Sequence, residues 1–203
     1  MNASLLLSSF VAFFALVNPI QKILLVSTLK QNFNRKELNY ISLKSSLTAL
    51  VILIFFLFLG ELIFHYVFHI QLYAFKITCG IVLMINGLLG LQKGNFLQID
   101  GKMRIDDLTA VPIALPMIAG PATITAAVTF KANYGRVNTI LSIFLALLIN
   151  YLLMLAAPRI GSVLIRHNFM NALIRITGLI VATIGLQMIF DGLGSYIQYL
   201  GTI

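Results

Sequence analysis

Apolar residues fall in six long runs along the chain: roughly Leu5–Leu29, Ile41–Phe64, Leu72–Leu91, Leu108–Phe130, Val137–Ala157 and Leu173–Tyr196. Each run is closed by polar or charged residues. A helix needs roughly 20 apolar residues to cross about 30 Å of hydrocarbon, so the pattern predicts six transmembrane helices. The one long polar connector, Gln92–Asp107, lies at the middle of the chain and gathers charges of both signs.

The two halves resemble each other. The first span carries Val17-Asn18-Pro19-Ile20-Gln21-Lys22-Ile23 and the fourth carries Ala119-Gly120-Pro121-Ala122-Thr123-Ile124, with the prolines 102 residues apart. Phe75-Lys76-Ile77-Thr78-Cys79 in the third span recurs as Ile174-Arg175-Ile176-Thr177-Gly178 in the sixth, 99 residues later. Three spans per repeat is an odd number, so the second copy must enter the membrane from the opposite face. The expected fold is therefore all-α and integral to the membrane: six transmembrane helices as two inverted three-helix repeats, with helices 1 and 4 broken. The whole chain, 1–203, reads as one transmembrane domain. Repeat 1 covers about 1–92, the connector about 93–107 and repeat 2 about 108–203.

Composition agrees with lipid as the solvent. Hydrophobic residues make up 60% of the chain, charged residues 10%, and mean hydropathy is +0.98; soluble domains carry about 25% charged residues. The net charge of +8 would suggest nucleic acid in a soluble protein, but here the basic residues concentrate in loops on one side of the bilayer. Lys30, Arg35, Lys36, Lys93, Lys102, Arg104, Arg159 and Arg166 face Lys131 and Arg136 on the other side, eight against two. The positive-inside rule then places both termini outside the cytoplasm of a multi-pass cell (inner) membrane protein. Met1-Asn2-Ala3-Ser4 lacks the basic start of a signal peptide, so the first run is expected to stay as a span.

Proline inside a helix removes a backbone donor and clashes with the carbonyl four residues earlier. In lipid, freed polar groups persist only where protein, water or ligand satisfies them. Breaks at Asn18-Pro19 and Gly120-Pro121 would create two half-helix N-termini, which favour an anion such as a carboxylate. The expected substrate-binding residues are Asn18, Pro19, Gln21, Lys22, Gly120, Pro121, Thr123 and Thr125. Pro112 and Pro116 read as packing kinks. Lys22 either faces a cavity or snorkels toward the helix end. Glu61 and Asp191, the acids within spans, are coupling-ion candidates, with a structural Glu61–Lys76 pair the favoured alternative for Glu61. Asn86, Asn150 and Gln187 are suited to hydrogen bonds between helices. Gly80 with Gly87, and Gly178 with Gly185, share helix faces that permit close packing. A single cysteine, Cys79, excludes an intramolecular disulfide. His65 and His69 are a helical turn apart but lack a third ligand, so no metal and no cofactor is expected. No nucleophilic or phosphate-cradling motif is present, so an enzyme is not expected.

These residues resemble the MarC family of six-span membrane proteins, also described as small neutral amino acid transporters. The likeness covers nearly the whole chain. It rests on Phe14-Ala15-Leu16-Val17-Asn18-Pro19-Ile20, on Gly60-Glu61, on Pro112-Ile113-Ala114-Leu115-Pro116-Met117-Ile118-Ala119-Gly120-Pro121-Ala122-Thr123-Ile124 and on Gln187-Met188-Ile189-Phe190-Asp191-Gly192. The chain departs from the family pattern after Asn18-Pro19, where Gln21 stands for a usual glycine and Leu24 for a usual proline, with Lys22 at the polar position. Those departures bear on substrate more than on fold.

Together the residues and the resemblance imply a secondary transporter of a small solute, foremost a small neutral amino acid, working by alternating access between the two broken helices. The alternatives are a membrane assembly or scaffold protein without transport, and efflux of another small metabolite. The partners implied are the solute, the lipid bilayer, a coupling proton or sodium ion, and a second copy of the chain; nucleic acid is not among them.

Overall fold

The computed structural model describes residues 3–30, 32–93, 117–166 and 170–201. Among these residues all regular structure is helical: α1 (Ala3–Val17), α2 (Pro19–Leu29), α3 (Arg35–Leu62), a π-helical turn (Ile63–Val67), α4 (Leu72–Lys93), α5 (Pro121–Tyr134), α6 (Arg136–Arg166) and α7 (Met170–Leu200). Five stretches are long and apolar enough to cross a membrane: Ala3–Leu29, Arg35–Val67, Leu72–Gln92, Arg136–Ile160 and Ala172–Leu200. They match the first, second, third, fifth and sixth apolar runs. The connector, Pro112 and Pro116 lie outside the described residues, and the fourth run is described only from Met117 onward.

Local chemistry sets the helix ends. Asn34 and Glu37 form a reciprocal capping box: the Glu37 N–H donates to Asn34 Oδ1 at 3.0 Å and the Asn34 N–H to Glu37 Oε2 at 2.7 Å. Two orphan donors are satisfied at once, so α3 starts at Arg35, ahead of its apolar run. Tyr134 and Arg136 are joined through Gly135 alone, at φ 81°, a backbone angle that glycine adopts without steric cost. α6 runs through Pro158 to Arg166, past the predicted end of the fifth run at Ala157.

The exposed surface is apolar, unlike that of a soluble protein, and polar residues share the interior with the apolar core. On α3 the exposed stripe is Tyr40, Leu43, Leu47, Val51, Phe55, Phe58 and Leu62, while the buried one holds Ser42, Ser45, Ser46, Ala49 and Gly60 besides Leu53 and Leu57. Lipid solvates the apolar face, and small or hydroxylated residues pack inward.

Two packing relations organise the bundle. α1 and α2 run alongside α6: Ser9 Oγ and Ser142 Oγ are 2.5 Å apart, Ser27 Oγ donates to the Ala157 carbonyl at 2.9 Å, and Lys30 Nζ donates to the Pro158 carbonyl at 3.2 Å. Residue numbers rise together along both partners, so the two spans are parallel. α4 and α7 are antiparallel and cross on glycines. A Cβ built on Gly80 would lie 2.6 Å from the Gly185 carbonyl oxygen, and one on Gly185 2.6 Å from that of Gly80. The corresponding distances are 2.6 Å from Gly87 to the Gly178 oxygen and 2.7 Å in reverse. Backbones this close leave no space for a side chain, so the two predicted glycine faces meet each other.

Candidate functional site

The first predicted break is present. Asn18 adopts the left-handed conformation, φ 52° and ψ 70°, between α1 and α2, a region asparagine tolerates better than other non-glycine residues. Pro19 supplies no donor, and the Asn18 N–H turns back to the Phe14 and Ala15 carbonyls at 3.2 and 3.1 Å. Lys22 folds toward the break, where its Nζ donates to the Val17 carbonyl; Gln21 Oε1 lies 3.5 Å from the same nitrogen. At 1% exposure, Lys22 neither snorkels to the helix end nor opens on the cavity described below. It caps the Val17 carbonyl, which the left-handed turn at Asn18 takes out of the helical ladder. The Asn18 side-chain nitrogen is buried and has no partner among the described residues.

The second break is of the same kind with different chemistry. Gly120 is extended, φ −80° and ψ 176°, an angle open to any residue, so glycine is not required there by backbone strain. Pro121 opens α5 at its first position, where a missing N–H costs nothing. The Thr123 hydroxyl lies 2.9 Å from the Ile118 carbonyl and 2.9 Å from that of Gly120. The Gly120 oxygen also accepts the Ile124 N–H at 2.9 Å. A side chain just past each proline thus caps the carbonyls the break exposes. Val17 before the first break, and Ile118 and Ala119 before the second, belong to one buried cluster.

Beside the breaks lies a cavity of about 700 Å³. Ala12, Ala15 and Leu16 of α1 and Ala122 and Ala126 of α5 form small apolar walls. Two polar stripes face into it at helical spacing: Thr125, Thr129 and Asn133 on α5, and Gln187, Asp191, Ser195 and Gln198 on α7, with Lys76 of α4 beside them. Gln187 Nε2 donates to Asp191 Oδ1 at 2.9 Å, and Lys76 Nζ to Ser195 Oγ at 3.3 Å.

Of the predicted site residues, Thr125 and Asp191 line this cavity. Asn18, Pro19, Gln21, Lys22, Gly120, Pro121 and Thr123 form the two breaks. Glu61 stands apart from both: it pairs with Lys131 at 2.9 Å rather than with Lys76, because α3 and α5 bring their C-terminal ends together. Asn150 and Gln187 bond within their own helices, to Met154 Sδ and to Asp191, and Asn86 is exposed. Sequence reasoning passed over Lys76, Ser195 and Gln198 as site residues. The spacing of polar residues on the last helix, at 187, 191, 195 and 198, is the signal that marks that face.

The chain is similar to other proteins over nearly its whole length. The chain is 35% identical over 192 residues to a "UPF0056 membrane protein" of Pyrococcus horikoshii, covering 95% of each chain. A protein of the same description from Methanocaldococcus jannaschii is 34% identical over 206 residues, covering 95% of this chain and 98% of the other. The Escherichia coli protein YhcE is 30% identical over 194 residues, with 91% and 89% covered. No solved structure matches the chain. The profile described as "MarC family integral membrane protein" matches residues 3–197, a span that takes in both helix breaks and every cavity-lining residue named above except Gln198, and the chain therefore belongs to the MarC family of multi-pass integral membrane proteins.

Proposed function

We propose that the chain is a secondary transporter that carries a small neutral amino acid across the cell membrane by alternating access. It would consist of two inverted three-helix repeats, with no catalytic step. The observation that carries this proposal is the cavity of about 700 Å³ set beside two helix breaks. Broken helices beside a cavity that carries polar groups are a recurring form of solute site in a bilayer.

Two packing relations support the repeat. The span made by α1 and α2 is parallel to α6, so an odd number of crossings must separate them. α3 and α4 supply two, and a third between α4 and α6 would give the six spans of this reading. The glycine contacts also exchange under a shift of 98 residues: Gly80 becomes Gly178 and Gly87 becomes Gly185, so the pair Gly80–Gly185 turns into Gly178–Gly87. A self-complementary contact of that form is what a two-fold relation between halves produces. Lys131 on Glu61 and Lys30 on the Pro158 carbonyl are related by nearly the same shift.

The test is uptake of labelled neutral amino acids by proteoliposomes, with and without proton and sodium gradients. Saturable uptake is expected, reduced by Ala15→Leu, which fills the cavity from its α1 wall while the protein still inserts. Absence of saturable uptake under every gradient would overturn the transporter assignment and leave assembly or scaffolding.

A further inference from the structure

We infer that the C-terminal end of α1 is a binding place for a small monovalent cation, and that the Lys22 ammonium occupies it as a tethered ion. The inference concerns the first break itself and does not depend on transport. α1 ends at Val17 and α2 begins at Pro19, so the break falls in the interior of the span Ala3–Leu29. The last carbonyls of a helix have no partner within it and carry the negative end of its dipole. The Asn18 N–H serves those of Phe14 and Ala15 at 3.2 and 3.1 Å. The Val17 carbonyl is left to Lys22 Nζ.

The placement of Lys22 runs against its own helix. It is in the first turn of α2, where the dipole disfavours a cation, yet its side chain reaches back across the break to the end of α1, where a cation is favoured. No acid answers its charge. Glu37 caps α3, Glu61 pairs with Lys131 and Asp191 is held by Gln187, so no carboxylate among the described residues pairs with Lys22. At 1% exposure its charge is met by the Val17 carbonyl, with Gln21 Oε1 at 3.5 Å. Carbonyls at the end of a half-helix are the groups with which broken membrane helices hold a coupling cation. Capping alone does not require a charge. At the second break the neutral Thr123 hydroxyl reaches the Ile118 and Gly120 carbonyls at 2.9 Å. A buried ammonium costs far more to desolvate than a hydroxyl, so its use at the first break marks a place that favours a cation over a simple donor.

Thermal unfolding of the full chain in nanodiscs separates a cation site from a cap. The probes are sodium chloride, potassium chloride and choline chloride at equal ionic strength, choline being too large for the place of one ammonium group. Wild type should melt at the same temperature in all three, because the tethered ion fills its site. Lys22→Ser removes that ion and leaves an oxygen. It should melt below wild type in choline and rise by about 5–10 °C in sodium or potassium at about 100 times the dissociation constant. Lys22→Met, which fills the space without charge, should melt alike in all three salts. If Lys22→Ser does not stay folded in choline, binding of radiolabelled sodium to protein kept in sodium throughout should show a site that wild type lacks. Wild type stabilised by sodium or potassium, Lys22→Ser melting alike in the three salts, a sodium response in Lys22→Met, or no extra sodium bound by Lys22→Ser would each overturn the inference.

Discussion

Replacing Gly87 by alanine tests the antiparallel crossing of α4 and α7 directly. The new Cβ would stand 2.3 Å from the Ala182 nitrogen and 2.6 Å from the Gly178 oxygen. Both are backbone atoms and cannot rotate away. Ordinary contact begins near 3.4 Å, so the helices must part locally by about 1 Å. Such a gap forfeits roughly a quarter to a half of each neighbouring contact, worth ~0.1–0.2 kcal/mol apiece. With some twenty contacts loosened the loss is about 0.5–2 kcal/mol, overlapping the usual range of about 1–3 kcal/mol for overpacking. Alanine also favours the helical state, by up to about 1 kcal/mol, and that gain must be subtracted. Gly194→Ala is the control, because nothing lies within 4 Å of its Cβ position and only the propensity gain remains. Denaturant unfolding in bicelles should place Gly87→Ala below Gly194→Ala by about 1–3 kcal/mol. Gly185→Ala, whose Cβ meets the Met84 nitrogen at 2.5 Å, should fall beside Gly87→Ala. If Gly87→Ala and Gly194→Ala unfold together, the two helices do not cross on these glycines.

Thr123→Val should cost about 1–3 kcal/mol by orphaning the Ile118 carbonyl, while Thr123→Ser stays near wild type; equal melting of the two variants would show that the hydroxyl does not cap the break. Glu61→Gln should change stability by less than about 1 kcal/mol, as exposed pairs do, because Glu61 is 71% exposed against Lys131; a larger loss would mean that the pair is shielded from solvent. A reporter fused after Gly201 should be extracytoplasmic and one placed within 94–101 cytoplasmic, and finding both on one side would refute six spans.

Both breaks were legible in the sequence because proline acts locally: whatever surrounds it, it has no N–H to give. The positions of the first, second, third, fifth and sixth spans were legible because hydrocarbon thickness fixes the length of an apolar run. Partners were harder. Glu61 has Lys76 a short loop away, yet its counter-charge is Lys131, and nothing local to Glu61 reports where the end of α5 lies. The extension of α6 through Pro158 was equally hidden, since Ser27 and Lys30, which bond the Ala157 and Pro158 carbonyls, come from another helix. The role of Lys22 depended on geometry as well. Its position inside a span was plain, but its direction follows from the left-handed turn at Asn18, which leaves the Val17 carbonyl seeking a donor.

The single residue between α5 and α6 bears on how the cavity can change shape. A longer loop would absorb motion in many torsions, whereas Gly135 offers two. α5 carries one wall of the cavity and α6 is bonded to α1 and α2 through Ser142 and the carbonyls near Pro158. A swing of α5 must therefore either pivot at Gly135 or carry α6, and with it the facing wall on α1. The linkage is that of a stiff lever, and an alanine at position 135, where φ is 81°, would strain this pivot although the space around it is open.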